Sequence, residues 1–165
     1  MSCQAWRIGD GIGRSAGSFL GKLKMKMRMV KILIWLIVIA VLALLVYVRL
    51  APSDPERWHQ QIKATANETR TDGAIRVISA QADTLTKIDR LMLGLPRTQT
   101  LAGSVKEGRI TYVTRSALMG FPDYTTIEQD GDRIKISARQ RFGKSDLGVN
   151  AKRLEGLINT LNAGG

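Results

Sequence analysis

Hydrophobicity changes character twice along this chain. From Ile32 to Val48, seventeen consecutive residues (ILIWLIVIAVLALLVYV) carry no charge. At ~1.5 Å per residue they make a helix of roughly 26 Å, within the usual range for a membrane span. Lys31 and Arg49 bracket the run, and both can extend to the polar interface. After Ala51 the apolar residues become periodic instead. Ala74 to Ser79 is short and β-rich and predicts a strand. From Ala82 to Leu93 the apolar positions Ala82, Leu85, Ile88, Leu91 and Met92 form a helical stripe that ends before Gly94 and Pro96. Four strand-like runs follow, Thr98 to Val105, Arg109 to Ala117, Tyr124 to Gln129 and Arg133 to Arg141. Glu107-Gly108 and Asp130-Gly131 between them are hairpin turns in which glycine supplies a positive φ. Asn150 to Leu161 closes the pattern with Leu154, Leu157, Ile158 and Leu161 on one helical face.

The predicted fold class is α+β. A single transmembrane helix is followed by a small domain of order β-α-β-β-β-β-α, whose mainly antiparallel sheet packs one face against two helices. The other face is expected to meet solvent, with Arg139 and Arg141 on it. The expected divisions are a basic cytoplasmic tail over 1–31, a transmembrane signal anchor over 32–50, a juxtamembrane linker over 51–73 and the α+β domain over 74–165. In the linker, Asp54 before Pro55 is suited to cap one short helix. Trp58 is expected at headgroup level, His59 solvated or against headgroups, and Lys63 to Asp72 as a loop. The sequon Asn67-Glu68-Thr69 is too short a match to carry weight. Asp130-Gly131-Asp132 lacks the further ligands of a calcium loop and is read as a turn.

Charge gives the span a direction. Seven cations (Arg7, Arg14, Lys22, Lys24, Lys26, Arg28 and Lys31) stand before it against one acid, Asp10. Beyond it, Arg49 and Arg57 are offset by Asp54 and Glu56. The positive-inside rule then expects a single-pass protein of the inner membrane, N-terminus cytoplasmic and domain periplasmic. The stretch after Val48 has no small-x-small cleavage site, so the anchor is expected to be retained. Met25, Met27 and Met29 lie just before the span, and translation is expected to start at one of them. Gly11-Ile12-Gly13 and Gly17 are read as flexible tail, because no strand precedes them as a phosphate loop requires. Of the net charge of +11, the tail supplies +6 and the rest only +5. That mild basicity and the few aromatics argue against nucleic acid as a partner. The one cysteine, Cys3, lies ahead of the span, so no disulfide staples the domain and its stability comes from an ordinary core.

The densest polar segment runs from Ala138 to Leu154 (ARQRFGKSDLGVNAKRL). Arg139 and Arg141 share a strand face, and Ser145, Asp146 or Asn150 can cap the closing helix. Gly143, then Ser145-Asp146-x-Gly148-x-Asn150 and a basic helix start, together with Arg115-Ser116 and Phe121-Pro122-Asp123-Tyr124, resemble the bacterial and plastid family known as domain of unknown function 1499. The resemblance covers roughly Pro52 to Leu161. Gln140 and Ala151 stand where relatives often carry a hydroxyl residue and a further Arg. The resemblance implies a fold rather than an activity.

Two readings of the segment follow from its residues. In one, Asp146 accepts backbone N–H groups or pairs with Arg139 or Arg141, locking the loop to the sheet. In the other, Arg115, Arg139, Arg141 and Lys144 gather near the N-terminus of the closing helix as an anion site. A phospholipid headgroup or an acidic envelope polymer would suit it. The expected function is therefore a membrane-anchored binding or scaffold module for such a ligand or for an envelope protein, with the lipid bilayer as its constant partner. The alternative is a metal-independent hydrolase using Ser116 or Ser145 with Asp123, Asp146, Tyr124 or a lysine. No cofactor or metal is expected, since His59 is the only histidine and the domain has no cysteine.

Overall fold

The structure, a computed structural model, describes residues 13–164; Cys3, Arg7, Asp10 and the Gly11-Ile12 pair lie outside the described residues. Two compact units are present, one up to Leu44 and one from Leu45 to Gly165. The first consists of most of helix α1 (Gly13–Leu50). Within it Leu20–Leu50 is long and apolar enough to cross a membrane. Its large apolar side chains from Leu20 to Val41, Trp35 among them, are exposed all round. No single face is chosen, which is what a lipid solvent requires.

The second unit is a six-stranded antiparallel sheet with helices, of the α+β class that the sequence pattern predicts but with one strand more. After the short α2 (Pro55–Trp58) come β1 (Glu68–Arg70), β2 (Gly73–Ser79), α3 (Thr84–Gly94), β3 (Thr98–Ser104), β4 (Arg109–Arg115), β5 (Pro122–Asp130), β6 (Arg133–Gln140) and α4 (Val149–Ala163). The spatial order is β1-β2-β6-β5-β4-β3. Both expected turns form, Gly108 at φ +73° and Gly131 at φ +60°. The latter fixes Asp130 opposite Arg133 and so the register of β5 on β6. β1 lies in the stretch expected as a loop. All three of its residues are exposed, so no burial period marks it.

Register sorts the side chains into two faces. Ala74, Ile110, Tyr112, Ile127, Ile134, Ile136 and Ala138 point to one side and meet Leu85, Ile88 and Met92 of α3 and Leu154 and Leu157 of α4. This is the apolar core foreseen from the two helical stripes. The opposite face departs from expectation. Thr111, Val113, Tyr124, Thr126, Glu128 and Lys135 on that side are buried, because residues 53–63 run across it as a strap. Trp58 is only 5% exposed and stacks on Tyr124 with ring centroids 3.8 Å apart. A flat aromatic pair of this kind adds to what area burial alone supplies. Trp58 is thus an anchor for the sheet and not for headgroups.

Candidate functional site

The strap is held by side-chain bonds rather than by strand pairing. Asp54 caps α2 as expected, accepting the Glu56 N–H at 3.0 Å, and Ser53 Oγ lies 2.7 Å from the Tyr124 hydroxyl. Ile62 is clasped at both ends of its backbone. Its N–H donates to Glu128 Oε2 at 3.0 Å, and its carbonyl accepts from Lys135 Nζ at 3.3 Å. Glu128 and Lys135 are directly opposed on β5 and β6. Their charges are also matched outward, Glu128 by Arg109 at 2.9 Å and Lys135 by Asp130 at 2.7 Å. Buried charge is tolerable when it is paired and hydrogen-bonded in this way.

His59 lies half-buried on the same face. Its Nδ1 is 2.9 Å from Thr111 Oγ1, which is 2.9 Å from Thr126 Oγ1, which donates to the Trp58 carbonyl at 3.3 Å. The ring sits over Gly103, where a Cβ would come within 2.6 Å of His59 Cε1. Gly103 is therefore required for close approach as well as for its φ of +80°.

Beside the strap, a cleft of about 290 Å³ opens between Trp58, residues 60–64, Arg70, Ile75, Ser137 and Arg139. Arg139 holds its guanidinium 4.6 Å above the Trp58 ring and donates to the Arg57 carbonyl at 3.3 Å. It has no carboxylate partner among the described residues, whereas Arg70 is paired with Glu68 at 2.7 Å. Burial first, and then the neighbouring Arg57, press the Arg139 guanidinium below its ordinary value, although an arginine stays protonated in any protein. Arg57 and Arg139 thus share the Trp58 ring, their repulsion partly offset by the nearby Asp72 carboxylate, and an anion in the cleft would relieve the remainder.

The four cations expected to share an anion site occupy different places. Arg139 lines this cleft. Arg141 donates to the Pro52 carbonyl at 2.7 Å and to the Tyr124 hydroxyl at 3.3 Å. Arg115 donates to the Gly120 carbonyl at 3.1 Å, and Lys144 stands exposed on the loop after β6. The N-terminus of α4, proposed as their focus, already holds a carboxylate. Asp146 accepts the N–H groups of Gly148 at 2.9 Å and Asn150 at 3.0 Å. Burial pushes its carboxyl up, but those backbone bonds outweigh it and the net position is below the usual value. Of the two structural readings of Asp146, backbone capping is the one that forms. Ser145 Oγ accepts the Leu147 N–H at 3.2 Å, and Asn150, fully buried, accepts from Arg153 at 3.0 Å. Arg153 also pairs with Asp123 at 3.1 Å. The motif residues Ser145, Asp146, Gly148 and Asn150 therefore build the start of α4.

The hydroxyls weighed as nucleophiles are used in turns. Ser116 Oγ accepts the Phe121 N–H at 3.0 Å, as Ser145 accepts that of Leu147. Neither is bonded to a lysine, histidine or carboxylate among the described residues. Arg57, Arg70 and the Glu128–Lys135 pair escaped the sequence reading as site residues, and His59 was expected solvated or against headgroups. The alternation Tyr124, Thr126, Glu128 on β5 with Lys135, Ser137, Arg139 on β6 was the available signal for that face, but nothing periodic marked what covers it. Among the described residues no group of three potential metal ligands occurs.

No curated protein matches the chain. Residues 47–161 match a family model described as a protein of unknown function, DUF1499. That match covers the strap, the sheet and both packed helices, and the chain belongs to this family.

Proposed function

We propose that this is a single-pass inner-membrane protein, N-terminus cytoplasmic, whose outer domain binds an anionic group of the envelope in the cleft at Arg139. The seventeen-residue uncharged run and the cations before it support the topology. The observation that carries the binding reading is the guanidinium of Arg139, set over Trp58 in a polar concavity and in no salt bridge among the described residues. Arginine in such a place presents a planar fork to phosphate or carboxylate. Ser137, Gln60 and Gln61 line the same cleft and supply neutral donors beside the charge. A lipid headgroup and an acidic polymer share the chemistry this cleft would take, a phosphate or carboxylate on a small polar body.

The test uses the full chain in zwitterionic nanodiscs, titrated with inorganic phosphate and with a soluble phosphoglycerol at constant ionic strength. Saturable binding is expected, weakened about tenfold by Arg139→Gln, the loss typical of one charge-assisted contact, and unchanged by Arg133→Gln at the far end of β6. Equal binding by the native chain and Arg139→Gln would refute the site.

A further inference from the structure

Two loops at one end of the sheet carry leucines that the domain leaves uncovered. Leu118, between β4 and β5, is 84% exposed, and Leu147, between β6 and α4, is 92% exposed. Single apolar residues at a surface are common and carry nothing alone. Their position adds to this. Both loops lie against the residues at which α1 ends. A Cβ on Gly120 would sit 3.2 Å from Arg49 Cγ. The ring of Phe142 meets Tyr47 edge-on at 6.3 Å and Phe121 at 6.0 Å, and Arg141 binds the Pro52 carbonyl.

The backbone adds a separate observation. Leu147 has φ +52°, a left-handed conformation that a bulky side chain avoids. Leucine there is strained and, at its exposure, gains almost no packing in return. Glycine or asparagine would fill the position at less cost. Whatever rewards leucine lies outside the domain. Lys144, exposed three residues earlier, completes an apolar tip with a flanking cation, the composition of a segment that lies in a membrane interface.

We infer that the Ser116–Phe121 and Phe142–Val149 loops rest on the bilayer that α1 crosses, with Leu118 and Leu147 at the boundary between headgroups and acyl chains and Lys144 among the headgroups. The inference depends on α1 being a span, since the chain's exit at Leu50–Pro52 then brings these loops to the lipid surface. It is independent of the Arg139 cleft.

With Cys3 replaced by serine, single cysteines are introduced in the full chain as Leu118→Cys, Leu147→Cys, Asp132→Cys in the turn at the opposite end of the sheet, and Ile37→Cys within α1. Each is labelled with an environment-sensitive fluorophore and placed in nanodiscs whose lipids carry a nitroxide at a shallow acyl position. Probes at 118 and 147 are expected to be quenched several-fold more than the probe at 132. Quenching at 37 with none above the 132 level at 118 and 147 overturns the loop inference and leaves the span standing. No quenching at 37 removes the span and the inference together. Shielding of 118 and 147 from an aqueous quencher in native membranes, but not in nanodiscs, assigns them to a protein partner and likewise overturns lipid contact.

Discussion

The two faces of the sheet are closed by different means. On one, α3 and α4 bring Leu85, Ile88, Met92, Leu154 and Leu157 against seven apolar strand residues. Closure there is non-directional and scales with apolar area. On the other, the apolar cluster is Trp58, Val113 and Tyr124 with Leu101 at its edge. The rest is hydroxyls, one buried carboxylate and one buried ammonium, each tied to the strap by a directed bond. The first face tolerates changes of shape that keep volume. The second depends on particular partners, because an unmatched buried polar group loses its hydration for nothing. The helical face is therefore expected to behave as the global core, and the strap as a cover that can detach by itself.

The largest effect should come from the helical face. Leu154→Ala, at a fully buried position, is expected to cost about 3–4 kcal/mol, measured as a fall in the denaturation midpoint with all probes moving together. Trp58→Ala should cost somewhat less overall, about 2–3 kcal/mol, because the strap can peel away while the sheet persists. Its signature is fast hydrogen exchange at the Ile62 amide, which loses protection, with slow exchange retained in β5 and β6. Equal acceleration throughout the sheet would show that the two faces form one cooperative core and remove the distinction.

A smaller change sharpens the same comparison from the helical side. Asp146→Ala should cost about 1 kcal/mol by freeing the first N–H groups of α4. The Asp146 carboxyl lies below its ordinary value in the folded chain, so its contribution is present above the unfolded carboxyl pKa of ~4 and disappears as pH falls through the lower folded value. The stability gap between the native chain and Asp146→Ala should accordingly narrow on acidification below pH ~4. A gap that widens there would contradict the backbone capping.

Elements with a period were legible in the sequence. The stripe read as Ala82 to Leu93 forms α3 at Thr84–Gly94, and Asn150 to Leu161 forms α4 at Val149–Ala163. The helix starts move because Asp83 and Gly148 adopt positive φ there, a backbone choice that hydrophobic spacing does not encode. β1 was hidden for a different reason, since Glu68, Thr69 and Arg70 bury nothing. The strap was hidden because Trp58 and Ile62 are isolated apolar residues in a polar stretch, and their partners lie some seventy positions away. Trp58 near a span also has a ready reading as an interface residue, and only its stack on Tyr124 displaces it. Of the site, Arg139 was visible from strand alternation. Arg57 and Arg70 come from the strap and β1, the two segments without a period.

The row of hydroxyls beneath His59 has a polarity. A carbonyl can only accept, so the single proton of Thr126 is committed to Trp58. Thr111 must then give its own proton to Thr126, and His59 Nδ1 must give one to Thr111. The imidazole is thereby fixed with hydrogen on Nδ1 whether it is neutral or cationic. Any proton it exchanges passes through Nε2 alone, and the threonine row serves as a fixed support for the ring rather than a conduit inward.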